Sequence, residues 1–181
     1  LGAHELGHYL ACRYYGISAS LPYFLPVPFP LTGTAGAFIR IRQPITTKRA
    51  LFDIGIAGPL AGVAIAVPAL VIGMMMSRVV GLPSDFTGVS LGEPLLFKAV
   101  SWLIWGTPPE TASINMHPMA FAAWFGLLAT ALNLIPIGQF DGGHIAYAAL
   151  GRHAHKVTIG AVLFAVSLSV YSSSWVVWTV L

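Results

Sequence analysis

Charge is scarce in this 181-residue chain: only 8% of its residues are Asp, Glu, Lys or Arg, against about 25% in an average soluble domain. A water-soluble globule of this size could not cover its surface with so few charged groups, whereas a helix in a bilayer needs none. With 56% hydrophobic residues and a mean hydropathy of +0.79, the composition is that of an integral membrane protein. Nine basic residues outnumber six acidic ones. They are dispersed among apolar runs and form no basic face, which excludes a nucleic-acid partner. Cysteine is nearly absent, and a single Cys12 rules out an intrachain disulfide and any CxxC metal or redox site. An initiating Met is also missing. The chain opens at Leu1 with a motif already under way at His4, so it reads as an excerpt in which the upstream half of a first helix is expected to be absent.

Long uncharged runs are what the chain does have. Residues 54–77, 111–140 and 157–181 contain no Asp, Glu, Lys or Arg, and about 20 helical residues suffice to cross a hydrocarbon core. The first run is studded with Gly55, Gly58, Pro59, Gly62, Pro68 and Gly73; in lipid these are tolerated and let helices approach closely, so a packed interior helix is expected. The second run should turn helical near Pro118 and end by Pro136. With a fourth helix over residues 1–15, the reading is an all-α integral membrane protein of about four transmembrane helices. After the first helix, Pro22, Pro26, Pro28 and Pro30 forbid a continuous helix. Residues 34–42 read as a strand or hairpin, giving a small membrane-associated β or irregular segment. Residues 81–110 should form an interfacial or re-entrant connection. On this layout one side receives Arg13, Arg40, Arg42, Lys48, Arg49, Arg152 and Lys156, the other only Arg78 and Lys98. The Arg13, Lys48 and Arg152 side is therefore expected to be cytoplasmic or topologically equivalent.

His4, Glu5 and His8 form an H-E-x-x-H pattern. Positions i and i+4 share a helix face, so both imidazoles can reach one Zn²⁺, and Glu5 falls beside the water such an ion would carry. An acid within an apolar helix is a functional candidate in its own right. A reactive zinc needs a third protein ligand. Cys12 continues the i, i+4 series but sits about 12 Å along the axis from His4, too far to share the ion. Asp53 and Asp85 end the second helix, where solvation or capping accounts for them, and Glu93 and Glu110 belong to the connection on the opposite side. Asp141 remains. It follows the third helix directly, where Pro136 and the Gly142-Gly143 pair are expected to break the helix and turn a carboxylate inward.

The His4-Glu5-x-x-His8 helix, the Gly58-Pro59-Leu60-Ala61-Gly62 stretch and the run from Asn133 to Gly143, in this order, resemble the site-2 protease family of intramembrane zinc metalloproteases. The resemblance covers most of the chain and implies one Zn²⁺ held by His4, His8 and Asp141. It implies Glu5 as the catalytic acid/base and Asn133 as an aid to substrate or oxyanion binding. The implied substrate is a transmembrane protein segment, from a membrane-tethered regulator or a signal-peptide-like sequence. The 14–48 region would be the membrane-associated β structure that engages it. A single core over 1–181 is expected, with a connection after the second helix too short to hold a PDZ insertion.

Two other readings use the same residues: a transporter or ion pathway through His4, Glu5, His8 and Asp141, and an inactive relative that binds substrate without cutting it. His144 reads as a helix-start histidine, with contact to substrate or solvent as the alternative, and His153 and His155 as a solvated loop. Trp175 and Trp178 suit interface anchors. Met74, Met75 and Met76 are consecutive, point in different directions, and form no metal stripe.

Overall fold

The computed structural model of the chain describes residues 1–26, 34–81, 94–106 and 112–171. Pro28, Pro30, Asp85, Glu93, Glu110, Trp175 and Trp178 lie outside the described residues. In chain order the described elements are α1 (Gly2–Tyr14), β1 (Tyr23–Pro26), β2 (Thr34–Phe38), α2 (Lys48–Met75), β3 (Arg78–Gly81), α3 (Leu95–Trp105), β4 (Ala112–Asn115), α4 (Pro118–Asn133), α5 (Asp141–Leu150) and α6 (Ala154–Tyr171). A 3₁₀ turn, Gly151–His153, joins the last two. The fold is mostly helical, with two small two-stranded sheets. It divides into two compact units, residues 1–62 with 129–181, and residues 63–128.

In the first unit α1 buries His4, Gly7, His8 and Cys12 on one face. His4 and His8 are 3% and 7% exposed, while Leu10 on another face is 58% exposed. The helix ends in a Schellman arrangement: the Gly16 N–H donates to the Arg13 carbonyl at 3.1 Å and the Ile17 N–H to the Cys12 carbonyl at 2.8 Å. Gly16 takes the left-handed φ of +68° that this motif needs. Cys12, Ala50 and Ile54 form a small buried cluster that gathers Tyr15, Ile17, Ile39 and Ile45 around it.

Helix α2 starts at Lys48, about a turn and a half before the expected residue 54, because Thr47 caps it. Its hydroxyl accepts the Ala50 N–H at 3.2 Å, so the charged Lys48, Arg49 and Asp53 sit in the first turns and not in a loop. At 28 residues it is about 42 Å long. It is the one helix among the described residues long and apolar enough to cross a membrane; α3 and α4 are apolar but shorter. Ile54, Gly58, Gly62, Ala66, Leu70 and Met74 are buried at every fourth position, while Leu60, Ile65 and Ile72 are exposed. The glycines are thus the packing face. Gly7 of α1 meets it at Ala57 and Ala61, where a Cβ on Gly7 would stand 2.8 Å from the Ala61 Cβ.

β1 and β2 pair antiparallel, with Tyr23 opposite Phe38. The pairing continues past β2: Ser20 N–H donates to the Arg40 carbonyl at 2.9 Å and Arg42 N–H to the Ser18 carbonyl at 2.8 Å, around a bridge between Ala19 and Ile41. By strand alternation the backbone groups of Ile39 and Ile41 point to the opposite edge. The expected helix break at Gly142 and Gly143 is corrected: both lie within the first turn of α5. They are small for another reason, since a Cβ on Gly142 would run into the Leu134 carbonyl and one on Gly143 into the Gly138 carbonyl.

In the second unit Leu70, Met74, Phe97, Val100, Ala120, Ala123 and Trp124 form the core. Gly73 lets Ala120 come close, with a Cβ there falling 2.7 Å from the Ala120 Cα. β3 pairs antiparallel with β4, Arg78 opposite Asn115. The sequence reading did not anticipate this ribbon.

Candidate metal centre

Two consecutive turns of α1 place His4 and His8 on its buried face, and the start of α5 brings Asp141 to them. The His4 Nε2 is 3.0 Å from Asp141 Oδ2, the His8 Nε2 is 3.2 Å from the same oxygen, and the two Nε2 atoms are 3.2 Å apart. Among the described residues this is the group of His, Cys, Asp or Glu side chains that could hold a metal ion. The rings meet edge to face, at 72°. The His8 Nδ1 donates to the Ile54 carbonyl at 2.7 Å, which leaves its Nε2 as a lone pair. That lone pair faces a carboxylate oxygen and a second imidazole nitrogen, an arrangement of acceptors that a cation between them satisfies. Ligands about 2.0–2.1 Å from one tetrahedral zinc stand about 3.3 Å apart. The three separations here are close to that, and two nitrogens with one carboxylate are a zinc donor set.

The packing of α2 keeps His8 in place. Gly58 lies against the imidazole so closely that a Cβ there would collide with the ring, and Gly55 is packed by Ile145 and the Asp141 backbone. Asn133, the last residue of α4, holds its Nδ2 3.3 Å from the His4 Nε2. All five residues singled out in the sequence, His4, Glu5, His8, Asn133 and Asp141, line one cavity of about 610 Å³. Glu5 is half-buried, and the Ile39 backbone N–H approaches its carboxylate. The wall beyond is Phe38, Ile39, Ile41 and Arg42, and Gln139, Phe140 and His144 face the same space.

Cys12 is fully buried in its own cluster, apart from these ligands. Asp53 accepts a hydrogen bond from the Tyr15 hydroxyl and lies 3.9 Å from the Arg49 Nε. That hydrogen bond is the largest cause of the upward shift of the Tyr15 phenol from its ordinary pKa. Sequence reasoning missed the Ile54 carbonyl, a backbone group without a signature, and left Gln139 and Arg42 unassigned. His144 lies near the start of α5 and also lines the cavity.

The family model for peptidase family M50 matches residues 1–172. The chain is 35% identical to the probable zinc metalloprotease EGY2, chloroplastic, of Arabidopsis thaliana, over 98% of this chain and 32% of that protein. It is 35% identical to the probable zinc metalloprotease EGY1, chloroplastic, of Oryza sativa subsp. japonica, over 93% and 28%. It is also similar to the DDT domain-containing protein PTM of Arabidopsis thaliana, 31% identical over 71% of this chain and 8% of that protein. The chain therefore spans about a third of the length of the zinc metalloproteases it matches. No solved structure matches it.

Proposed function

The chain belongs to peptidase family M50, and from that premise we propose that it carries the catalytic centre of a zinc-dependent intramembrane protease that cuts transmembrane segments of membrane-anchored substrates. The observation that carries the reading is the convergence of the His4 Nε2, the His8 Nε2 and the Asp141 Oδ2 within 3.0–3.2 Å of one another, in a cavity that Glu5 also lines. His4, His8 and Asp141 hold one Zn²⁺. Bound there, zinc supplies Lewis acidity, polarising a carbonyl and making a water acidic enough to attack at neutral pH.

The protein's own groups do the rest. Glu5 takes the proton from the attacking water and delivers it to the amide nitrogen as the C–N bond breaks, leaving a carboxylate and an amine. The Ile54 carbonyl fixes the tautomer and orientation of His8. Asn133 donates from its Nδ2 toward the substrate carbonyl or the oxyanion it becomes.

A transmembrane helix hides its carbonyls in i to i−4 hydrogen bonds, so several residues must unwind before water can reach one. The edge at Ile39 and Ile41, on the wall of the same cavity, offers backbone groups to the freed segment by strand addition, with little sequence preference. α1, α2, α4 and α6 make up four spans. The Arg13, Lys48 and Arg152 ends share the cytoplasmic or equivalent side; the Lys48 Nζ, 2.9 Å from where a Gly151 Cβ would lie, supports that grouping. No finding favours the ion-pathway alternative.

The test is a cleavage assay on purified protein with a single-pass substrate. Glu5→Gln should retain zinc and lose cleavage, and undiminished cleavage by a zinc-loaded Glu5→Gln protein would overturn the proposal.

A further inference from the structure

The proposed chemistry uses both carboxylates that line the cavity, Glu5 and Asp141, and leaves its fixed cation without a task. That cation is Arg42, the one Lys or Arg among the described residues lining the cavity. Its side chain is exposed and makes no hydrogen bond or ion pair with another described residue. The backbone that carries it, by contrast, is pinned. The Arg42 N–H donates to the Ser18 carbonyl at 2.8 Å, and the Ser18 N–H donates to the Gln43 Oε1 at 3.0 Å. Arg42 therefore springs from a fixed place on the wall, with only its long side chain at liberty.

Position along the strand sets where this charge falls relative to the chemistry. The Ile39 N–H approaches the Glu5 carboxylate, so Ile39 marks the level of the cut. Arg42 is three residues further on, about 10 Å at the rise of an extended chain. A substrate segment docked as a strand along Ile39 and Ile41 lays one of its residues opposite Arg42, with the two Cβ atoms about 5 Å apart. Covering a guanidinium with an apolar residue strips its water and gives nothing back, whereas a carboxylate there makes charge-assisted hydrogen bonds. The same cation thus penalises one class of substrate and rewards another.

We propose that Arg42 is a specificity-determining residue, selecting transmembrane substrates that carry an Asp or Glu about three residues from the cut. The inference rests on the protease reading of this cavity and narrows its substrate class. An acid is rare inside an apolar span, so the cut falls near the end of the substrate's helix, where the chain meets the membrane surface.

The test compares kcat/KM of zinc-loaded, detergent-purified protein on a single-pass substrate whose cut site has been located by mass spectrometry. A single Asp, Asn or Lys is placed about two to four positions from the cut, on either side. The wild-type protein should cleave the best Asp substrate about 10-fold faster than its Asn counterpart, with the Lys counterpart slowest. Arg42→Gln should erase the difference between Asp and Asn. Arg42→Glu should reverse the order and favour Lys, a rescue that a merely structural role for Arg42 would not produce. Each comparison is made within one enzyme, so a general loss of activity cancels. An Asp preference that is absent from the wild-type protein, or that survives in Arg42→Gln, would overturn the proposal while leaving the protease reading intact. Zinc-loaded wild-type protein that cleaves no member of the panel would overturn both.

Discussion

Gly58→Ala tests how much the metal centre depends on the packing between α1 and α2. A methyl at this position would overlap the His8 ring at three of its atoms. Gly58 is buried on the fourth-residue row of α2, so neither group has open space to retreat into. If the helices separate, the Gly7 contact with Ala57 and Ala61 is lost as well. If the ring moves instead, it gives up the 2.7 Å bond to the Ile54 carbonyl, which contributes about 1 kcal/mol, and its Nε2 leaves the Asp141 oxygen. Overpacking of this kind costs about 1–3 kcal/mol. The protein should therefore still fold, while zinc affinity falls by about 100-fold or more with one ligand displaced, on the order of 3 kcal/mol. The assay is zinc per chain by mass spectrometry after chelator challenge, with Gly160→Ala, where a Cβ meets open space, as the matched control. A Gly58→Ala protein that keeps its zinc as well as the control would refute the packing argument.

Further outcomes follow from the same geometry. Asp141→Ala should lose zinc while its far-ultraviolet circular dichroism stays helical; full zinc occupancy in that variant would remove Asp141 from the ligand set. Glu5→Gln should cut turnover by at least ~100-fold, the scale of general acid/base catalysis, with zinc content unchanged. Ile39→Pro deletes a backbone donor from the cavity edge, so product formation on a gel should slow with no loss of zinc. Lengthening the helical Leu/Ala content around the scissile bond of a substrate should protect it, and equal cleavage of stiffened and native substrates would rule out unwinding as a requirement.

The metal set was readable because its signal is local: a one-turn histidine pair, one adjacent acid, and an aspartate placed by helix ends. The α2 interior was readable for a similar reason, since glycines at every fourth position have few uses in lipid other than close packing. What escaped is non-local. Residues 78–81 and 112–115 pair across more than thirty residues, and each strand is four residues long, too short for alternation to stand out. The Gly142-Gly143 pair was read as a helix breaker because glycine in water is one. Its use here is to bring the first turn of α5 against the Leu134 and Gly138 carbonyls, a fact of tertiary packing. The same holds for Gly58 and the Ile54 carbonyl, whose work depends entirely on which helix lies opposite.

The claim on which the rest depends is that His4, His8 and Asp141 hold one zinc ion. X-ray absorption at the zinc edge of the purified protein tests it most directly, because nitrogen and oxygen scatter at about 2.0–2.2 Å and sulfur at about 2.3 Å. The account requires one zinc per chain with two imidazole ligands, oxygen in the remaining positions, and no sulfur. A sulfur shell would implicate Cys12, the chain's single cysteine, and contradict the assignment; so would a spectrum unchanged in Asp141→Ala.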